Sequence, residues 1–339
     1  MQIGNEMNLI KYIAGRVGVY LMVLFTGITI IFFVPRFMPS DPVEGYIGRM
    51  VYQAGQTMSA EDVEQLRESL RELYGLKGSL LSQYISFIRR ALISWDFGPS
   101  LAGYPKPVSE YIATALPWTL GLLTTTTVLA WTLGNLVGLL AGFFHGNRIT
   151  TVLEVIGVIL YPIPYYILAL VLIILLAYVW PVFPLSTTIM PGALTIRKLG
   201  EIFRNSFLPG MALILAGFGW NVLGMKAMAY ATKEEPFVTY ARLKGTPSFT
   251  IMFHYVFRNA MLPQITALAL HMGMIFNGAV LTEMLFSYPG VGSLIRYAIG
   301  NGDYNLIYGT LSLSIVAVAT AALIVDLLYP LFDPRIRYR

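Results

Sequence analysis

Cysteine is missing from all 339 residues, so neither a disulfide framework nor a thiolate metal site can be built. Charge is scarce as well: Asp, Glu, Lys and Arg make up 12% of the chain, against about 25% in an average soluble domain. That shortage, beside 56% hydrophobic residues, disfavours an ordinary soluble enzyme. The three histidines, His145, His254 and His271, fall in different segments without ligand spacing, so no shared zinc site is expected. The phosphate-holding pattern G-x-x-x-x-G-K-[ST] is absent, and Gly75-Leu-Lys-Gly-Ser79, the nearest approach to it, has the wrong order. If ATP drives this protein, another chain hydrolyses it. No basic patch with interleaved aromatics occurs, so the net charge of +5 is not read as a nucleic-acid footprint.

What the chain does have is long runs free of charge: Val17–Pro35, Tyr111–Asn147, Val155–Ile196, Asn205–Met225, Asn259–Thr282 and Tyr304–Val325. A helix rising about 1.5 Å per residue needs about 20 residues to cross a hydrocarbon core of about 30 Å, which each run can supply. A membrane β-barrel would alternate apolar and polar residues, and these runs do not. The first run follows a basic flank but is followed by no small-residue cleavage site, so it reads as a retained span and not as a signal peptide. The stretch from Val155 is long enough for two spans, and charge decides between six and seven. With six spans and an inner N-terminus, the inner side holds Lys11, Arg16, Arg148, Lys226, Lys233, Arg242, Lys244, Arg258, Arg335, Arg337 and Arg339, and the short outer loops only Arg197, Lys198, Arg204 and Arg296. A seventh span would put the last three arginines outside. Pro162, Pro164, Pro181 and Pro184 then imply a kinked span followed by a re-entrant or surface stretch.

Between the first two spans lies a polar insertion, residues 37–110, on the outer side in this topology. Ser59 as N-cap, Glu61 and Asp62 in the first turn, a shared face of Val63, Leu66, Leu70 and Leu73, and Gly75 as a stop predict one helix. Leu80–Trp95 predicts a second, amphipathic one, and the two either cap the outer mouth or form a docking platform. In the second span Gly134, Gly138 and Gly142 recur every four residues and clear a stripe for close helix approach, within the chain or at a subunit interface. Polar groups inside the spans are few: Asn135, Asn221, His271, Asn277 and Asp326, the last near an inner end where a loop cation can pair with it. Gly300-Asn-Gly-Asp303 matches the G-x-G-D around one catalytic aspartate of intramembrane aspartyl proteases, but Asp303 falls in an outer loop with no second aspartate in reach, since Asp326 lies near the opposite side.

The longest inner connection, between spans four and five, is basic: Lys226–Arg258 carries five Lys/Arg against Glu234 and Glu235. Pro236 can open a helix with those acids at its N-terminal end, and Phe237-Val-Thr-Tyr-Ala-Arg-Leu-Lys-Gly245 reads as that helix with its glycine stop. A second helix over Phe249–Met261, leading into Pro263, would complete a stiff elbow; the plainer alternative is a solvated loop.

These residues resemble something specific. Ala241-Arg-Leu-Lys-Gly245, then His254, Arg258-Asn-Ala260 and Leu262-Pro263, resemble the coupling-loop motif of permease subunits in binding-protein-dependent ABC importers, in the branch of the first permease of dipeptide, oligopeptide and nickel systems. Pro39-Ser-Asp41-Pro42 resembles that branch's Pro-Gly-Asp-Pro, and Tyr74-Gly75, Gln83-Tyr84, Pro107-Val108, Leu116-Pro117, Gly278-Ala-Val-Leu-Thr-Glu283, Phe286-Ser-Tyr-Pro-Gly290, Gly292 and Asp333-Pro-Arg-Ile-Arg-Tyr338 extend the likeness over nearly the whole length. The general loop opens Glu-Ala-Ala; here Thr239 and Tyr240 take the first two places, so that glutamate's ion pair is not carried over.

The resemblance implies an all-α membrane protein of the type I importer kind. Its six transmembrane helices would divide into a tail and first span (1–36), the extracellular insertion (37–110), a five-span core (111–325, the last span continuing to about 331) with a coupling loop at about 226–260, and a tail (332–339). It also implies a place in a prokaryotic cell membrane with both termini cytoplasmic. The expected partners are a second, homologous permease subunit, two ATPase subunits, an extracellular substrate-binding protein and membrane lipid. The chain itself would hold no cofactor, with ATP and Mg in the ATPases. Phe237, Tyr240, Ala241, Arg242, Lys244 and Gly245 would form the coupling element: Tyr240 and Phe237 as interface anchors, Arg242 and Lys244 pairing with acidic groove residues. The cargo implied is a peptide, a nickel chelate or an oligosaccharide, with peptide ahead of sugar. A secondary transporter is the rival, and the chain shows neither the inverted repeat nor the buried carboxylate cluster expected of one.

Overall fold

The structure, a computed structural model, describes residues 2–33, 42–53, 59–73, 75–187, 195–278 and 280–332. Pro39 and Asp41 of the motif after the first span, Tyr74, and the segment Asp333–Tyr338 lie outside them. Among the described residues every regular element is a helix, and extended pairing is confined to an isolated bridge between Pro99 and Pro107. In chain order the helices are α1 (Gln2–Phe33), α2 (Pro42–Gln53), α3 (Ala60–Leu73), α4 (Leu80–Arg89, continued by a π-helical turn, Arg90–Ser94), α5 (Val108–Phe143), α6 (Arg148–Leu160) and α7 (Tyr165–Ile173, with a π-helical turn Ile174–Val179). They continue as α8 (Ile196–Lys233), α9 (Pro236–Leu243), α10 (Ser248–Thr250, running through π-helical Ile251–Phe257), α11 (Arg258–Gly278), α12 (Val280–Phe286), α13 (Val291–Asn301) and α14 (Tyr304–Phe332).

Among the described residues four helical segments are long and apolar enough to cross a membrane: Lys11–Phe33, Val108–Phe143, Ile196–Lys233 and Tyr304–Leu327. The α6–α7 pair adds a fifth if it is one span, but it bends by 101° at its break. The cause is local, since Pro162 and Pro164 lack the N–H groups that would continue the helix. Exposed Leu21, Met22, Phe25 and Ile30 on α1 are costly in water and at home in lipid.

The chain forms two compact units, residues 1–119 with 289–323, and 120–288 with 324–339. In the first, Ile28, Ile31 and Phe32 of α1 pack with Phe87, Ala91, Phe97, Val108, Ile112, Ala298 and Leu306. The Phe32 ring lies edge-on to Tyr84 at 5.1 Å, and the Tyr84 hydroxyl hydrogen-bonds Thr29 at 2.7 Å. A second cluster, Val43, Ile47, Leu70, Leu101 and Tyr304, seats α2 and α3. The Ser59 hydroxyl accepts from the Asp62 N–H at 3.1 Å, while the Asp62 carboxylate accepts from the Ser59 N–H at 3.1 Å, so the predicted cap is reciprocal. Gly75, at φ +63°, closes α3 as predicted, with the Leu76 N–H donating to the Arg71 carbonyl at 2.8 Å.

Asp303 lies in the connection between α13 and α14, as the sequence implies, but not on its surface. It is fully buried at the start of α14, taking the Ser100 hydroxyl (2.5 Å), the Ala102 N–H (3.1 Å) and the Leu306 N–H (3.1 Å). Both carboxylate oxygens are engaged, one holding the 100–102 turn and the other capping a helix, which gives Asp303 a structural task.

In the second unit α5, α6 and α7 gather around α8. A methyl group at Gly219 would lie 2.6 Å from the Gly157 carbonyl oxygen, so α6 and α8 approach backbone to backbone. Nearby, Tyr161 stacks on Trp220 at 5.7 Å and Lys226 pairs with Glu154. Ala169, Ala177, Leu208, Ala212 and Phe286 form the α7–α8 core. Two details differ from the sequence expectation. The helix α8 continues to Lys233, seven residues past the expected start of the loop at Lys226, and helical backbone runs from Ser248 through Pro263 to Gly278 instead of stopping at the proline. One lost N–H bond is tolerable among other helices, whose side chains and local adjustments of the helix can satisfy the freed carbonyl.

Candidate functional site

The connection between α8 and α11 is built on glutamates and a proline: Glu235 takes extended backbone, Pro236 opens α9, and the Val238 N–H donates to the Glu235 carbonyl at 3.0 Å. At the other end the Gly245 N–H donates to Arg242 (2.9 Å) and the Thr246 N–H to Ala241 (3.2 Å), with Gly245 at φ +78°. This is the paired-bond stop in which a left-handed residue is required, and glycine adopts it without a Cβ penalty. No atom lies within 4 Å of where a Gly245 Cβ would stand, so the requirement is conformational and not steric.

α9 has two apolar faces. Val238 and Ala241 are buried in a cluster with Leu139, Phe143, Met225, Ala229, Ile251, Met252, Val256 and Ala260. The opposite side presents Phe237 (41% exposed), Tyr240 (61%) and Leu243 (82%), and Phe249 is exposed just beyond. Lys244 Nζ lies 4.7 Å from the centre of the Tyr240 ring, and Arg242 is exposed. Lys233 anchors the base of the loop by donating to the Phe143 carbonyl at 2.8 Å. A stiff, capped helix is thus riveted to the helical bundle by one face, with aromatic and cationic groups on the other.

Of the residues singled out in the sequence, Phe237, Tyr240, Arg242 and Lys244 share this outward side, Ala241 belongs to the anchoring face, and Gly245 ends the helix. Val238, Leu243 and Phe249 were missed; the signal for the exposed stripe is its spacing of three, 237, 240 and 243. The glycine stripe of α5 faces α8. A methyl at Gly134 would lie 2.5 Å from the Asn221 Cβ, at Gly138 2.5 Å from the Val222 carbonyl oxygen, and at Gly142 2.7 Å from that of Lys226. Pro42 is the first residue of α2, while Pro39 and Asp41 fall outside the described residues.

Comparison with known proteins meets this geometry. The chain is 29% identical to the di/tripeptide transport system permease protein DppB of Pseudomonas aeruginosa, over 98% of this chain and all of that one. It is 29% identical to the oligopeptide transport system permease protein AppB of Bacillus subtilis (93% and 96%) and 27% identical to the dipeptide transport system permease protein DppB of Escherichia coli (98% and 100%). A family model matches residues 134–338, a range that takes in the whole of α9 and its supports: the chain belongs to the family of binding-protein-dependent transport system inner membrane components.

Proposed function

We propose that this chain is a permease subunit of a peptide importer, forming half of the translocation pathway with a second, homologous permease and driven by ATP hydrolysed, with Mg, in two partner ATPases. The single observation that carries the reading is the two-faced α9: anchored to the bundle through Val238 and Ala241, it offers Phe237, Tyr240 and Leu243 outward. An element that relays motion must be fixed to what it moves and must seat in what moves it, and aromatic side chains are the usual anchors of such contacts. Arg242 and Lys244 would pair with acidic groups of the ATPase groove.

In this reading the four apolar helices, the bent α6–α7 pair and α11, with its 21 residues, make six spans, and both termini and α9 lie in the cytoplasm. α2 to α4 then lie outside, toward a substrate-binding protein. Peptide is the cargo because the relatives above are named as peptide permeases; nothing in the chain favours an oligosaccharide.

The test is purification of the tagged chain from cells expressing the whole operon, followed by ATPase and peptide-uptake assays in proteoliposomes. Recovery of two ATPases and a second permease, with ATP-dependent uptake, is expected; uptake driven by an ion gradient without ATPases would overturn the proposal.

A further inference from the structure

Within the second unit a cleft of about 150 Å³ opens between α5, α8 and α11, lined among others by Thr127 and Trp131 of α5, Trp220 and Asn221 of α8 and His271 of α11. Polar groups at membrane depth are costly against lipid and face a bundle interior or a watered path. Asn221 is 5% exposed, and its side-chain amide donates to the Gly217 carbonyl at 2.8 Å, leaving the carbonyl Oδ1 as an acceptor for whatever enters. Trp131 spends its indole N–H on the Gln264 carbonyl at 2.9 Å and so offers a ring face. Trp220, stacked on Tyr161 and half exposed, offers another. His271 of α11 is exposed.

We propose that this cleft is a peptide-contact point on the translocation route, where Asn221 Oδ1 accepts a main-chain N–H and the two indoles form walls indifferent to side-chain identity. The inference deepens the importer reading and rests on it. The chemistry fits cargo of varied sequence, since an amide acceptor reads what all peptides share and flat ring faces tolerate what differs. At about 150 Å³ the cleft is smaller than the about 300–1,000 Å³ of sites that enclose whole small ligands, so it would hold part of a peptide at a time.

A chain without cysteine allows a direct test. Thr127→Cys and His271→Cys are introduced singly into the complete importer in proteoliposomes, and labelling of this chain by a charged, membrane-impermeant thiol reagent is followed by mass during turnover, with and without trialanine. Labelling of both positions is expected, slowed roughly tenfold at a trialanine concentration about ten times its dissociation constant, as occupancy by mass action requires. Asn221→Ala should raise the KM for trialanine uptake more than it lowers the maximal rate. Labelling by a lipid-soluble maleimide alone, or equal rates with and without trialanine in an assembly that transports it, would overturn the cleft while leaving the importer standing. An assembly with this chain unaltered that takes up no peptide would overturn both.

Discussion

Lys244 sets its ammonium 4.7 Å from the centre of the Tyr240 ring, one helical turn back along α9. The pair places a cation and an aromatic face on the same exposed edge, where both can meet one partner surface. On the proposed importer reading, Tyr240→Ala should weaken retention of the ATPases during purification by about 2 kcal/mol or more, the loss typical of a hot-spot aromatic. Because Tyr240 is 61% exposed, the thermal midpoint of the isolated chain should hardly move. A parallel fall in both would sink the assignment.

Gly245→Val tests the stop of α9. The backbone there sits at φ +78°, and a β-branched residue in that region costs on the order of 1–2 kcal/mol. Peptide-stimulated ATPase activity should drop, and Gly245→Asn, which tolerates the left-handed region better, should recover part of it. Open space around the position means that crowding cannot explain a loss.

Gly138→Leu tests the seam between α5 and α8. Its Cβ would stand 2.5 Å from the Val222 carbonyl oxygen, so the helices must part, at a cost of roughly 1–3 kcal/mol. The melting temperature in detergent should fall, whereas Gly121→Leu, with nothing within 4 Å, should leave it unchanged.

Asp303→Ala removes the acceptor of three hydrogen bonds. Leaving those buried donors unpaired costs about 1–3 kcal/mol each, discounted where water can enter. Faster proteolysis between Asp96 and Lys106 is the readout, and unchanged cleavage kinetics would mean that the turn is held by other means.

Acid should loosen α2 from α3. The Arg67 guanidinium hydrogen-bonds the Glu44 carboxylate and holds its pKa below the ordinary 4.5. A carboxylate depressed on folding stabilises above its unfolded pKa, and that contribution fades as pH falls through the lower folded value. Protease susceptibility of the α2–α3 pair should therefore be flat through neutral pH and rise only below about 4.5, the ordinary value. Glu44→Gln should abolish the rise.

The long apolar helices and the caps of α3 were legible in the sequence because their causes are local. Ser59 and Gly75 bound α3 through bonds to neighbours a few residues away, and Pro162 with Pro164 announced the break. Asp303 was not legible, because its partner Ser100 lies 203 positions earlier. Nor does the sequence say which side of α9 is inward: with apolar residues at 237, 238, 240, 241 and 243, only the packing of Ile251, Met252 and Val256 against Val238 and Ala241 decides it. Pro263 misled for a similar reason, since a proline that stops a helix in water is carried through when neighbouring helices supply the surroundings.

The outward apolar stripe of α9 also bears on the cell's housekeeping. In the importer reading proposed above, a copy synthesised in excess of its companions would carry Phe237, Tyr240 and Leu243 uncovered into water, the sort of sticky surface that chaperones and proteases survey. Burying that stripe would then serve as a receipt for correct stoichiometry, with orphan copies cleared and matched sets kept.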